Sequence, residues 1–352
     1  MKVLVTGATG NIGGAVAKAL AADEQVTEVI GLARRPPDEA DAGRIRYVAG
    51  DVGEDDLTPH LEGVDAVVHT AWLFQPMHDP MTTWQANAIG SVRLFEAAAA
   101  AGVRAVLHTS SVGAYSPAHG RWVDESWPTH SVPTAAYGRE KAYAERALDA
   151  LEAANPDMRV VRVRPSFVFQ RSSASAQRRL LAGPFVPTSL LRPGRLPAVP
   201  WPSGLRIQAM HTDDLAEAFR LLTLSEDARG AYNVAAEPVV DPDVVGRVLR
   251  ARVVPVPSAA AKALLQVLFR LHLAPAEPAL VDMVTGLPLM ETKRIRALGW
   301  SPRVSSEDAL AEVVVGMADR AGAPTPSQQP DSASTVMDEL ATGIGERSTP
   351  DA

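Results

Sequence analysis

The feature that most constrains this chain is Val3-Leu4-Val5-Thr6-Gly7-Ala8-Thr9-Gly10-Asn11-Ile12-Gly13. An apolar, β-branched run leads straight into three glycines at three-residue spacing, and an Ala-rich segment of helical spacing follows. In that context each glycine has a task. Gly7 permits a tight turn, Gly10 lets backbone approach a pyrophosphate, and Gly13 lets the helix pack closely on the strand. The helix N-terminus then holds phosphates by its free N–H groups and its dipole. An isolated glycine triplet would be weak evidence. The strand–turn–helix context sets it above an ordinary βα turn and predicts a dinucleotide cradle from Gly7, Thr9, Gly10, Asn11, Ile12 and Gly13.

The first 170 residues repeat one alternation, a short apolar run, a turn, and an Ala/Leu-rich stretch of helical length. The runs are Lys2–Thr6, Val26–Ala33, Arg44–Val48, Ala66–Thr70, Ala105–Thr109 and Arg159–Val163, several of them apolar nearly throughout, as strands buried on both faces are. Gly13–Ala22, Trp84–Ala101 and Ala135–Ala154 read as helices, the last ending at Asn155-Pro156. The expected fold is α/β, a Rossmann-type doubly wound parallel sheet with a smaller, mostly C-terminal substrate-binding region.

After Val168 the character changes. Six prolines between Pro184 and Pro202 are too dense for helix interiors or central strands and predict a long loop region. Leu205–Asn233 recovers strand–helix–strand texture, and Ala259–Leu273 reads as a mostly apolar helix that packs on the body or faces a dimer partner rather than a membrane. These boundaries predict a dinucleotide-binding domain over 1–169 to which 205–235 returns, a substrate-binding region from 170–204 and 236–318, and a tail over 319–352. From about Gly322 onward Pro, Ser, Thr, Gln and Asp dominate, so the tail is expected to be disordered.

Composition excludes several classes. The 352 residues contain no Cys, which removes disulfides, thiolate catalysis and Cys-ligated metal. The eight His residues are scattered without ligand spacing, so no metal is expected. With 34 Lys and Arg against 41 Asp and Glu the net charge is −7, which disfavours nucleic acid and anionic lipid. No apolar stretch is long enough to span a bilayer and no signal region opens the sequence, which together predict a cytoplasmic protein.

The end of the second strand reads Gly31-Leu32-Ala33-Arg34-Arg35. Ala33 stands where an acid would hold the ribose of NAD, and two guanidinium groups follow that can fork onto a 2′-phosphate. NADP is favoured, NAD is compatible, and solvated loop arginines are the alternative.

Tyr137-Gly138-Arg139-Glu140-Lys141 lies near a helix start, so Tyr137 and Lys141 share one face. A phenol is a poor base at neutral pH, but an adjacent ammonium favours the phenolate and permits proton exchange with an alcohol or carbonyl oxygen. Alone the pair is common on helix surfaces. Ser111, at the end of the fifth strand and on the ligand-binding edge of such a sheet, raises it.

With these residues the chain resembles the extended short-chain dehydrogenase/reductases, also called the NAD-dependent epimerase/dehydratase family, over roughly residues 1 to 317. Further matches are Gly50-Asp51-Val52, His69-Thr70-Ala71, Asn87, the segment from His108 and Thr109 to Tyr115, Arg164-Pro165, His211–Ala216, Tyr232-Asn233-Val234 and Leu298–Pro302. The resemblance implies that Ser111 hydrogen-bonds the reacting oxygen, Tyr137 exchanges its proton, and Lys141 depresses the Tyr pKa and binds the nicotinamide ribose. It implies cofactor contacts at Asp51, Val52, Ala71, Asn87, Thr109 and Pro165, and makes Asp213 and Asp214 a helix start. Family dehydratases carry Asp-Glu after the catalytic Ser or Thr. Here Val112 and Gly113 stand there, so elimination loses its acid and base.

The leading expectation is an NADP-preferring oxidoreductase acting on a small carbonyl or alcohol. A nucleotide-sugar epimerase is the alternative, and a dinucleotide sensor without turnover is disfavoured by the intact Tyr137 and Lys141. Arg178, Arg179, Arg192 and Arg195 are either a phosphate clamp or solvated loop charges. A homodimer is compatible with the sequence.

Overall fold

The computed structural model describes residues 1–37, 41–341 and 343–344. Seven strands, β1 (Lys2–Thr6), β2 (Glu28–Ala33), β3 (Ile45–Ala49), β4 (Ala66–His69), β5 (Ala105–Thr109), β6 (Arg159–Pro165) and β7 (Gly230–Val234), form one parallel sheet in the order β7-β6-β5-β4-β1-β2-β3. A two-residue antiparallel piece, Asp41–Ala42, edges β3. The chain starts in the middle, winds outward to β3, then crosses β1 to continue in the opposite direction. The reversal between β1 and β4 opens a crevice at the C-terminal strand ends.

Every residue of β4, β5 and β6 is buried, because helices cover both faces. On one face Val16 and Leu20 of α1 (Asn11–Ala21) meet Leu215, Phe219 and Leu222 of α4 (Thr212–Leu224). On the other, Leu94 and Phe95 of α2 (Gly90–Ala100) meet Leu148 and Leu151 of α3 (Ala136–Ala154). The doubly wound architecture agrees with the expectation from the sequence.

Two segments differ from their reading. The single helix expected over Trp84–Ala101 begins earlier, at Pro80, because the Asp79 carboxylate accepts the N–H groups of Met81 and Thr82. It then widens over Gln85–Ile89 before α2 begins. Asn87 sits in that wide turn with its amide bonded to Leu73 and Glu140. The proline-dense region also holds a strand. Ala198–Pro202 pairs in parallel with Arg252–Val256, and since that sheet has only two strands both are edges, where proline costs no ladder bond.

The C-terminal region adds α5 (Pro242–Leu249), α6 (Ser258–Arg270), α7 (Ala279–Gly286) and α8 (Ser306–Ala318). Val199, Ile207, Val240, Val244 and Met290 build its core. None of the residues of α6 is buried.

The described part of the tail, where the sequence predicts disorder, makes polar contacts with the body. Thr325 Oγ1, Ser327 Oγ and Gln328 Nε2 all donate to the carbonyl of Thr9, at 3.0, 2.8 and 3.2 Å. Arg178, only 3% exposed, donates to both carboxylate oxygens of Asp331 and to Glu339, which belongs to α9 (Ala333–Ala341). Arg179 also reaches Asp331, at 2.7 Å. The docking is polar and joins residues about 150 positions apart or more, so the absence of apolar periodicity did not reveal it.

Buried histidines join β4 and β5 to α2. His69 Nδ1 lies 2.7 Å from Thr6 Oγ1 and Nε2 lies 2.8 Å from Ser91 Oγ. His108 stacks 5.2 Å from His69, and neither of its ring nitrogens has a hydrogen-bond partner among the described residues. Burial, with Lys141 nearby, pulls His69 down to about 3 and holds His108 well below the usual imidazole value.

Two predictions follow from this packing. Both histidines have folded pKa values below the unfolded one, so the stability they lend at neutral pH is lost as pH falls below about 6.5. His108→Phe should shrink the acid-induced loss of stability when urea denaturation is compared at pH 7.5 and pH 5, and an unchanged loss would show that His108 does not carry it. Arg178→Met leaves Asp331 and Glu339 without their cation, so the tail should undock. Limited proteolysis should then cut between residues 322 and 341 while the rest of the chain resists, whereas a digest like that of the wild type would show that the tail does not depend on the pair.

Candidate active site

The glycine turn is tight enough to exclude any side chain. Gly7 has φ +70°, and a Cβ there would lie 2.8 Å from the Cα and N of Ala71; at Gly13 it would lie 2.2 Å from the Gly7 carbonyl and 2.4 Å from Thr70 Oγ1. α1 is thereby pressed against the ends of β1 and β4. It starts at Asn11 with no side-chain cap, so the first-turn N–H groups, those of Ile12 and Gly13 among them, point into the crevice mouth as an anion site. This cradle fits the pyrophosphate of a dinucleotide. The Asn11 side chain is used otherwise, accepting from Gln170 Nε2 at 2.6 Å and Thr212 Oγ1 at 3.1 Å. The Thr9 carbonyl is taken by the tail.

Arg34 and Asp51 meet beyond the ends of β2 and β3. Arg34 Nε is 3.9 Å from Asp51 Oδ2, and Asp51 Oδ1 accepts the Gly53 N–H at 2.7 Å, so Asp51 both shapes its own turn and faces the first arginine. Val52 packs partly buried on the core beneath. Asn87 is 2% exposed and its amide is spent on Leu73 and Glu140, which makes it a tie between the β4 loop and α3. Arg178 and Arg179 are not a free clamp, since Asp331 and Glu339 pair with them, while Arg192, paired with Asp319, and Arg195 are exposed.

Ser111, Tyr137 and Lys141 come together. Ser111 Oγ accepts the Gly113 N–H at 2.9 Å, and Ser111 Oγ and the Tyr137 ring both border Gly113. Lys141, 3% exposed on the same face of α3, donates to the carbonyl of Thr109 at 2.7 Å and stands 3.2 Å above the Trp72 ring. The Tyr137 ring is 5.9 Å away. Burial pushes the Tyr137 hydroxyl up to about 12 against the pull of Ser111, and burial holds Lys141 well below its ordinary value. The depression of Tyr137 by Lys141 that the family resemblance implies is absent from this arrangement, because the ammonium is turned to Thr109 and Trp72. Tyr137 carries its proton at neutral pH. Thr109 Oγ1 and, just past Pro165, Ser166 Oγ are buried at the strand ends without partners among the described residues.

Several residues that set this geometry went unread in the sequence. Glu145, fully buried, accepts from Arg164 at 2.6 and 2.8 Å and from Ser110 Oγ at 2.6 Å. Its place eight residues after Tyr137 puts it on the same helix face, a signal the spacing contained. Glu140 is held by Thr83 and Asn87. Asp214 starts α4 as expected, but its carboxylate also accepts from the N–H groups of Arg303 and Val304. Among the described residues no group of three or more His, Asp or Glu is arranged to hold a metal, and no helix is long and apolar enough to cross a membrane.

Residues 3–235 match the family described as "NAD dependent epimerase/dehydratase family". "Sterol demethylase protein B" of Methylococcus capsulatus is 34% identical over 150 residues, 41% of this chain and 45% of that protein. "UDP-glucose 4-epimerase" of Mycolicibacterium smegmatis is 35% identical over 125 residues, 32% of this chain and 39% of that protein. The chain thus spans less than half the length of these curated relatives. Among solved structures, DesIV, a dTDP-glucose 4,6-dehydratase from Streptomyces venezuelae with NAD bound, superposes with a TM-score of 0.65 at 22% identity, covering 91% of this chain and 97% of its own. Glycine cradle, parallel sheet and matched span agree, and the chain belongs to the NAD-dependent epimerase/dehydratase family.

Proposed function

We propose that the protein is an NADP-preferring oxidoreductase that interconverts a carbonyl and an alcohol at Ser111, Tyr137 and Lys141. The observation that carries this reading is the grouping of Ser111 and the Tyr137 ring around Gly113 with Lys141, 5.9 Å from that ring, on the same helix face. A bound nicotinamide would supply or accept the hydride. The chain's own residues handle the proton: Tyr137 Oη gives it to the carbonyl oxygen, and Ser111 Oγ orients that oxygen. Lys141 is near enough to favour the phenolate left behind once it turns from Thr109. Gly7, Gly10, Gly13 and the α1 N-terminus would hold the pyrophosphate, with Arg34 and Arg35 on the 2′-phosphate.

The names of several relatives support a second reading, a nucleotide-sugar epimerase. Against it stand Ala33 in place of an acid and arginines already paired with the chain's own carboxylates.

Lys141→Ala and Tyr137→Phe should each lower carbonyl reduction by about a hundredfold or more with circular dichroism unchanged. Because the Tyr137 pKa is raised, reduction by the wild type should stay level through pH 9 and fall only as pH approaches about 12, as far as the fold persists. Retained activity in both variants sinks the assignment. Replacing Arg34 and Arg35 together by Ser should weaken NADPH binding about tenfold or more and leave NADH binding nearly unchanged in titrations of each cofactor. Equal losses would return both arginines to the surface and favour the epimerase.

A further inference from the structure

Tyr137 opens onto an apolar cluster. Met77, Leu280 and Met283 are buried in it, with Phe74 and Phe269 packed against them, and the Phe74 ring is 5.1 Å from that of Tyr137. α7 brings Met283 over the Ser111 turn: a Cβ on Gly113 would lie 3.3 Å from Met283 Sδ and 3.2 Å from the Tyr137 ring. The end of α7 is fastened there, its Gly286 carbonyl accepting from Ala118 and His119.

The carboxylates near this cluster are already committed, while Trp72 Nε1, on the ring 6.3 Å from that of Tyr137, is buried without a partner among the described residues. Glu277 caps the Ala136 N–H and Glu140 faces Thr83 and Asn87. A sugar ring placed against Tyr137 would therefore exchange water mostly for methionine and phenylalanine, leaving most of its hydroxyls unpaired.

The outer cover of the cluster is α6. Leu265 and Phe269 face inward, none of its residues is buried, and Leu264, Val267 and Leu271 just beyond its end are 62%, 53% and 61% exposed. A helix that is apolar on both sides and buried on neither makes a thin lid.

We propose that the substrate of the Tyr137 site is an apolar ketone or secondary alcohol, its hydrocarbon body seated between α6 and α7 and its one oxygen at Ser111 and Tyr137. The proposal rests on the oxidoreductase reading for its chemistry but on the apolar walls for its substrate class. A hydrocarbon body gains by leaving water here, and one oxygen is all the Ser111–Tyr137 pair needs to receive.

The test uses the full-length protein with NADP⁺ and 6-propionyl-2-(dimethylamino)naphthalene, an aryl ketone whose emission shifts to the blue in apolar surroundings. Saturable, blue-shifted binding that excess UDP-glucose does not displace is expected. Met283→Gln, and independently Phe269→Ser on the lid, should weaken it about tenfold. Displacement by UDP-glucose, or unchanged binding in both variants with native circular dichroism, overturns the proposal. Incubation with NADPH and chromatography of the products separates the two readings. Probe binding at this site without alcohol formation keeps the apolar pocket and removes the oxidoreductase, while reduction of water-soluble carbonyls without probe binding does the reverse.

Discussion

The structure around the site depends on one buried ion pair, Arg164 on β6 and Glu145 on α3. Burial alone would raise the Glu145 carboxyl, yet the hydrogen bonds and charge of Arg164, with the Ser110 hydroxyl, bring it below its ordinary value. It therefore stays ionised inside the protein. Removing either partner would strand a charge in the core. Arg164 also reaches the Tyr115 hydroxyl at 2.9 Å, which in turn donates to Asn233 on β7 at 2.6 Å. One network thus joins three strand ends and the helix that carries Tyr137 and Lys141. Their positions are fixed two turns away from the chemistry.

This bolt also explains how α3 tolerates a lysine in its buried face. Among the described residues no carboxylate pairs with Lys141; it is held by a carbonyl dipole and the face of an indole. Such partners leave the ammonium weakly stabilised, and burial lowers its pKa accordingly. Glu140 and Glu145 flank it along the helix, each tied to other groups. The site keeps its lysine poised instead of neutralised, so a ligand that offers better acceptors can draw it away from Thr109.

The parts of this arrangement that follow local rules were legible in the sequence. The glycine turn, the alternation of apolar runs with helices, and the shared face of Tyr137 and Lys141 are properties of neighbours along the chain, governed by strand and helix periods. The Asp79-Pro80 helix start was equally local and was passed over because the apolar pattern begins only at Trp84. Interactions that depend on tertiary placement were not legible. Trp72 reads as one more aromatic after a strand until the fold sets Lys141 on its face, and Asp331 reads as tail polarity until it meets Arg178. Proline density misled for a related reason: it argues against interior strands, while Ala198–Pro202 belongs to a ribbon with no interior.

The three tail donors on the Thr9 carbonyl place the earliest and some of the latest residues of the chain in one contact, 316 to 319 positions apart. During synthesis at about 5–20 residues per second, the glycine turn waits on the order of 15–60 s for them. The first βα unit can fold and collect its sheet neighbours through that interval with the crevice unfastened. A strap made last cannot direct the folding of the turn it covers. It can only bind a cradle that already exists, which is consistent with its being held by hydroxyls, amides and ion pairs instead of by shared core.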